Sequence, residues 1–130
     1  MVTLEILGYS LIAGTQAVQR QVGIRVTGIE VLGNQNQRIL QDVRENWYHL
    51  IPESAEMKKG KLAIEFAISK DGQVADMKLV ASSGDVALDR PAWGSIIGSN
   101  PFPHLPSGFT GPYLSLRFRF YYNPDKADLQ

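Results

Sequence analysis

The segment Leu62-Ala63-Ile64-Glu65-Phe66-Ala67-Ile68, followed by Ser69-Lys70-Asp71-Gly72, decides the fold of this 130-residue chain. Large apolar residues alternate in it with alanine or glutamate, which is the two-residue period of a strand with one face on a core and one face in water. An Asp-Gly pair directly after such a strand is a strong signal for a tight turn. The segment therefore predicts the first strand of a β-hairpin.

The second strand of this hairpin has a less regular pattern. Its buried phase runs through Met77 and Leu79, and Val74 is out of step with that phase. We therefore expect a bulge, or an early packing of the turn, near Ala75. Ser82-Ser83-Gly84-Asp85 closes the strand. Turn formation and helix capping explain this run better than a nucleophile or a phosphate loop, since it lacks the lysine of a P-loop and a nearby histidine.

Two amphipathic helices flank the hairpin in the sequence. The first is predicted to start at Asn34 or Asn36 as its N-cap and to end before Pro52. Its apolar face consists of Ile39, Leu40, Val43, Trp47 and Leu50. The second starts after Asp85, and its apolar face consists of Leu88, Ala92, Trp93, Ile96 and Ile97. Pro91 lies inside it, where a proline removes a backbone donor and costs about 3 kcal/mol unless the helix starts late or kinks.

The last predicted strand covers residues 113–122, after a proline-rich loop. One face consists of Leu114, Leu116, Phe118 and Phe120, and the other of Tyr113, Ser115, Arg117, Arg119 and Tyr121. A solvent-exposed strand face with tyrosine and arginine has the composition that is favoured at protein interfaces. An ordinary exposed face that binds no partner can have the same composition. The strand is therefore a candidate interaction surface.

The N-terminal part of the chain is rich in β-forming residues, with Val22, Ile24 and Val26 alternating with polar residues or glycine. We expect three parts: a β-prone extension at 1–33, a folded domain at 34–123 and a polar tail at 124–130. The predicted fold class is α+β, with a small three-stranded antiparallel sheet packed against two helices and the extra β-prone segment before it.

The composition argues against several classes of function. Thirteen basic residues balance thirteen acidic ones, and cysteine is absent. Neither nucleic-acid binding nor a thiolate chemistry is indicated. His49 and His104 have no neighbours at metal-ligand spacing, so we expect surface roles for both, no metal and no cofactor. No transmembrane span or signal peptide is recognisable, and an enzyme is not expected.

The ordered set of elements resembles the C-terminal domain of the TonB family, from about Ile29 to Asn123. The motifs that carry the resemblance are Trp47 with Pro52, Gly60-Lys61-Leu62-Ala63-Ile64-Glu65-Phe66, Lys70-Asp71-Gly72-Gln73-Val74, Ser82-Ser83-Gly84-Asp85, Leu88-Asp89-Arg90, Pro101-Phe102-Pro103 with Leu105-Pro106, and Leu116-Arg117-Phe118-Arg119-Phe120. Pro91 departs from the small, helix-forming residue that is common in relatives. Residues 1–28 do not resemble the membrane anchor and proline-rich spacer expected upstream.

The resemblance implies a periplasmic energy-transducing module that is anchored in the inner membrane through an upstream segment absent from this chain. Its expected partners are outer-membrane TonB-dependent transporters, whose TonB box is added as a strand to the last strand of the sheet, and an inner-membrane proton-channel complex that contacts the upstream region. Strand addition needs an exposed edge. The implied partner-binding residues are Tyr113, Leu114, Ser115, Leu116, Arg117, Phe118, Arg119, Phe120, Tyr121 and Tyr122.

Two alternatives stay open at the level of the sequence. One is a TolA-like module of the cell envelope, although the absence of cysteine favours TonB. The other is a structural or assembly domain, in which the β-prone N-terminal segment, with Val22 to Leu32 as a candidate stretch, pairs with the edge strand and makes a closed monomer or a swapped homodimer.

Overall fold

The computed structural model contains a five-stranded mixed sheet with two α-helices. It describes the backbone of residues 2–9, 21–25, 35–55, 57–107 and 111–123, and the side chains within these ranges from Arg38 onward. The strands are β1 (Val2–Tyr9), β2 (Gln21–Arg25), β3 (Gly60–Ser69), β4 (Val74–Ala81) and β5 (Tyr113–Tyr122). The helices are α1 (Gln35–Leu50) and α2 (Val86–Gly98), with a short 3-10 helix at Glu53–Ala55.

The strands lie in the order β2-β1-β5-β3-β4. Strands β5, β3 and β4 form the predicted three-stranded antiparallel sheet. The described part of the β-prone N-terminal segment adds β1, which runs parallel to β5, and β2, which runs antiparallel to β1. The α+β fold class is therefore confirmed, and the sheet extends by two strands beyond the predicted three. Val26 and the C-terminal tail 124–130 lie outside the described residues.

The β3–β4 hairpin follows the sequence pattern closely. Ser69 N donates to Gln73 O across the turn, and Gly72 takes a φ of +88° that favours glycine. The predicted bulge is confirmed at Asp76, which has a φ of +55° where the register shifts. A second register shift occurs between Ala63 and Ile64.

One expectation for β4 is wrong. Leu79 was predicted to be buried, but 41% of it is exposed. It lies opposite Ile64, whose side chain is fully buried. The difference follows from position, because β4 is an outer strand of the described sheet and has one neighbouring strand among the described residues.

Both helices pack on one face of the sheet. The core there includes Trp47 of α1, Leu88 of α2, and Phe118 and Phe120 of β5. Trp47 Nε1 donates to the hydroxyl of Tyr122 at 2.7 Å, and that hydroxyl donates to the carbonyl oxygen of Leu88 at 2.7 Å. A single buried phenol therefore joins α1, β5 and α2. Burial raises the pKa of this phenol well above its usual value, so it stays protonated and keeps both bonds.

The start of α2 is fixed by the predicted cap. The carboxylate of Asp85 accepts a hydrogen bond from Ala87 N at 2.9 Å. Lys58 Nζ contacts the same carboxylate at 2.7 Å, and this bond, followed by that from Ala87, lowers the pKa of Asp85. Pro91 is buried within the helix, so the helix accommodates it without stopping. Because proline has no N–H, it cannot donate to the carbonyl of Ala87, four residues earlier.

The start of α1 differs from its prediction. The helix begins at Gln35, so Asn36 lies inside it and is not the N-cap. Asn34, the other predicted N-cap, lies outside the described residues.

Removing the hydroxyl of Tyr122 tests its role in joining the three elements. In Tyr122→Phe the ring remains, but the buried indole N–H of Trp47 loses its acceptor. We expect a loss of about 1–3 kcal/mol in the free energy of unfolding, measured by urea denaturation. Tyr121→Phe is the matched control, since Tyr121 is on the other face of the sheet, and its change should stay within about 0.5 kcal/mol. Equal losses in the two variants would contradict the assignment.

Gly72 offers a second test, at the point where the proline-rich loop meets the hairpin turn. Phe102 N donates to Gly72 O at 2.8 Å, and a Cβ at Gly72 would lie 1.9 Å from the carbonyl oxygen of Phe102. Gly72→Ala therefore adds a backbone clash to the cost of its positive φ.

Gly84→Ala is the control for this substitution. Gly84 has a φ of +86°, but a Cβ there would have no atom within 4 Å. We expect about 1–2 kcal/mol of destabilisation for Gly84→Ala and clearly more for Gly72→Ala, by urea denaturation. Equal effects would show that the contact with Phe102 does not constrain the turn.

Candidate partner-binding strand

All ten sequence-predicted partner-binding residues lie on β5. Half of them are core residues, namely Leu114, Leu116, Phe118, Phe120 and Tyr122. The others lie on the face that the helices do not cover, namely Tyr113, Ser115, Arg117, Arg119 and Tyr121. The strand therefore has only one face whose side chains are open to a partner.

Tyr122 is the residue whose role the sequence analysis missed. We grouped it with the partner-binding residues, but its ring packs edge-on against Trp47 with 5.1 Å between centroids. A signal was present, because the two-residue period that starts at Leu114 places position 122 on the buried face. The hydrogen bonds to Trp47 and Leu88 depend on tertiary structure and have no signature in the sequence.

The open face of the sheet combines charged and very small side chains. Arg117 of β5 forms an ion pair with Glu65 of β3, with 2.8 Å between Nη2 and Oε1. This pair is partly exposed, so its contribution to stability is at most about 1 kcal/mol. A hollow of about 260 Å³ lies on this face between β3, β4 and β5. Its lining residues are Lys61, Leu62, Ala63, Ala81, Arg119 and Tyr121.

The backbone of β5 is paired along its whole length on one side and from Leu116 to Phe120 on the other, so the expectation of an exposed edge is corrected. Residues Tyr113–Tyr122 pair with β3 on one side. On the other side, residues Leu116–Phe120 pair with Val2–Ile6 of β1. From the sequence we expected that the β-prone N-terminal segment could occupy this edge, with Val22 to Leu32 as a candidate stretch. In the structure β1 occupies it, and β2 lies one strand farther out.

The outermost strands of the described sheet are β2 and β4. Strand β4 is a poor template for another chain, because two register shifts interrupt it and Asp76 takes a positive φ within it. Bulges and charged residues on an edge strand oppose edge-to-edge pairing. The charged residues on β4 are Asp76 and Lys78.

A groove of about 440 Å³ lies between the end of α1 and the first half of α2. Its lining residues are Leu50, Pro52, Val86, Ala87, Arg90, Pro91 and Gly94. Arg90 is the one ionisable residue among them, so this groove lacks the converging acids and bases of an active site.

The described residues also contain no cluster of three or more histidine, aspartate or glutamate side chains that could hold a metal ion. His49 and His104 are both exposed. In the part of the chain that the structure describes, neither helix is long and apolar enough to cross a membrane.

Lys58 lies in the lysine-rich loop before β3. In the structure Lys58 binds Asp85 through its ammonium group, and its carbonyl oxygen accepts a hydrogen bond from Asn123 Nδ2 at 2.8 Å. Lys58 therefore links the cap of α2 to the residue after β5 and fixes the end of the candidate strand.

Comparison with known proteins places this architecture in a family. The sequence profile described as TonB C terminal matches residues 36–120, which include both helices, the hairpin and most of β5. Protein TonB from Haemophilus influenzae is 35% identical over 63 residues, which cover 48% of this chain and 23% of that protein. The chain thus corresponds to less than a quarter of the length of this relative.

Solved structures have a similar fold. The C-terminal domain of HasB superposes with a TM-score of 0.50 at 20% identity, over 88% of this chain and 85% of that one. The solution structure of the Helicobacter pylori TonB C-terminal domain gives a TM-score of 0.49 at 18% identity, over 78% of this chain and 99% of that one. The profile match spans more than half of the sequence, and the chain therefore belongs to the TonB C-terminal domain family.

Proposed function

We propose that this domain is the partner-binding part of a periplasmic energy-transducing protein. In this proposal it binds the TonB box of outer-membrane transporters as an added strand on β5, and so couples the inner-membrane proton motive force to active uptake. The observation that supports the proposal is the family match over residues 36–120. An upstream segment outside this chain would supply the inner-membrane anchor and the contact with the proton-channel complex.

Backbone pairing would supply most of the binding energy. An added strand uses the N–H and C=O groups of one strand edge, and the side chains alongside provide selectivity. Five alternate side chains of β5 are locked in the core, so the strand is already extended before a partner arrives. Such pre-organisation lowers the entropic cost of binding. Arg117, Arg119 and the exposed Tyr113 would then act as secondary contacts.

The domain in this proposal has no enzymatic activity. Its family consists of interaction and energy-transduction proteins. The groove beside α2 has an apolar lining apart from Arg90, which fits this assignment. Dimerisation through β4 is disfavoured by the two register shifts in that strand.

Disulfide trapping tests the added strand directly, because the native chain has no cysteine. We would place Ser115→Cys on the full chain and offer TonB-box peptides that carry one cysteine at successive positions. Side chains of a strand alternate between the two faces of a sheet. Cross-linking yield should therefore rise and fall with a period of two along the peptide, as measured by mass spectrometry.

Lys78→Cys is the control for this experiment. It places an exposed thiol on β4, an outer strand of the described sheet two strands away from β5, and should give low yields with no period. Equal yields at Ser115→Cys and Lys78→Cys would contradict strand addition to β5. So would a yield at Ser115→Cys that does not depend on the position of the peptide cysteine.

A further inference from the structure

We infer that β1 is an internal strand that occupies the partner-binding edge of β5, and that a partner strand binds only after β1 has left that edge. This inference rests on the proposed function and adds a regulatory step to it. The chain would then exist in a closed form, with β1 paired, and an open form that is competent to bind.

The side of β5 that faces away from β3 has room for one strand. Backbone groups of β5 between Leu116 and Phe120 pair with Val2–Ile6 of β1 on the side away from β3. On its other side, β5 pairs with β3 without interruption along all ten of its residues. A backbone donor or acceptor in a ladder serves one neighbouring strand. Over Leu116–Phe120, pairing of this side of β5 with β1 and with a partner strand is therefore mutually exclusive.

Of the two ladders that β5 forms, the one with β1 is weaker than the one with β3. It is parallel, and parallel pairing is slightly less stable per residue than the antiparallel pairing of β3 with β5. Its register also shifts between Ile6 and Tyr9, so the regular part ends at Ile6. Departure of β1 would break a short parallel ladder and leave the antiparallel ladder intact.

Strand β1 can leave β5 without breaking its pairing with β2. Residues Thr3–Leu7 of β1 pair with Gln21–Arg25 of β2 in an antiparallel ladder. The two strands can therefore separate from β5 as one unit, with the β1–β2 ladder preserved.

The effect on affinity follows from the fraction of open molecules. A ligand that binds only the open form has an apparent dissociation constant equal to its intrinsic value divided by that fraction. If the edge is open in about 1% of molecules, binding is weakened about 100-fold. Holding β1 in place should abolish binding within the usable range of peptide concentrations.

A reversible disulfide between β1 and β5 tests the inference on the full chain. Glu5 and Arg119 are direct partners in the β1–β5 register. Directly paired residues of neighbouring strands lie about 5 Å apart at Cα, within the range that a disulfide spans. In the Glu5→Cys/Arg119→Cys variant, oxidation should weaken binding of a TonB-box peptide at least tenfold relative to the reduced form, and reductant should restore it.

Ala67→Cys/Ala75→Cys is the matched control. These residues are direct partners in the β3–β4 register, so this disulfide ties β4 to β3 and leaves both β1 and β5 free. Its oxidation should leave peptide affinity within about twofold. The single variant Arg119→Ser measures how much peptide affinity is lost by removing the arginine alone. The affinities of the oxidised and reduced double variant are each compared with that of Arg119→Ser.

The outcomes separate the inference from the proposed function. Equal peptide affinity in the oxidised and reduced forms of Glu5→Cys/Arg119→Cys would overturn the inference and leave the proposed function standing. Failure of these two cysteines to form a disulfide would contradict the register and overturn the inference. Absence of binding in every variant and redox state would overturn the proposed function.

Amide hydrogen exchange then decides the inference independently of any peptide. In the reduced protein, amides of β1 that bond to β5 should exchange faster than those of β3, because β1 leaves by local opening. Oxidation of the Glu5→Cys/Arg119→Cys pair should slow exchange at these β1 amides. Exchange of β1 at the same rate as β3 in the reduced protein would overturn the inference.

Discussion

The antiparallel pairing of β5 with β3 is the interaction on which the rest of the structure depends. It runs along the whole of both strands and sets which side chains of β5 face the helices. Because the pleat alternates, fixing this register places Phe118, Phe120 and Tyr122 in the core together. Trp47 and Leu88 then reach the same tyrosine hydroxyl from two helices. The helix layer is thus positioned by the last strand of the chain.

Much of this arrangement could be predicted because its causes are local. The alternation in residues 62–68 and the Asp-Gly pair after it define the hairpin. The cap at Asp85 follows from a short polar side chain before an apolar helical face, and Val74 out of step with its neighbours indicates the bulge at Asp76. Each signal lies within a few residues of the feature that it predicts.

The order of the strands could not be predicted in the same way. Alternation shows which face of a strand is buried, but it does not show which strand lies on either side. The position of β1 beside β5 depends on pairing between residues more than a hundred positions apart, such as Leu4 and Phe118. From the sequence we could therefore name the β-prone N-terminal segment as a possible occupant of this edge, but not Val2–Ile6 as the part that pairs with β5. The hydrogen bonds of Tyr122 could not be predicted for the same reason, because Trp47 and Leu88 are far from it in the sequence.

The candidate site consists of the backbone groups along one edge of β5, so β1 and a partner strand compete for the same groups. The family match starts at residue 36, so β1 and β2 lie outside the matched domain while β1 fills its edge. A strand tethered in the same chain acts at an effective concentration that reaches the millimolar range for short flexible connections. A free partner strand at micromolar concentration must therefore pair better than β1, or be held nearby by a second contact. In the proposed closed form, β1 sets the minimum affinity that a partner needs.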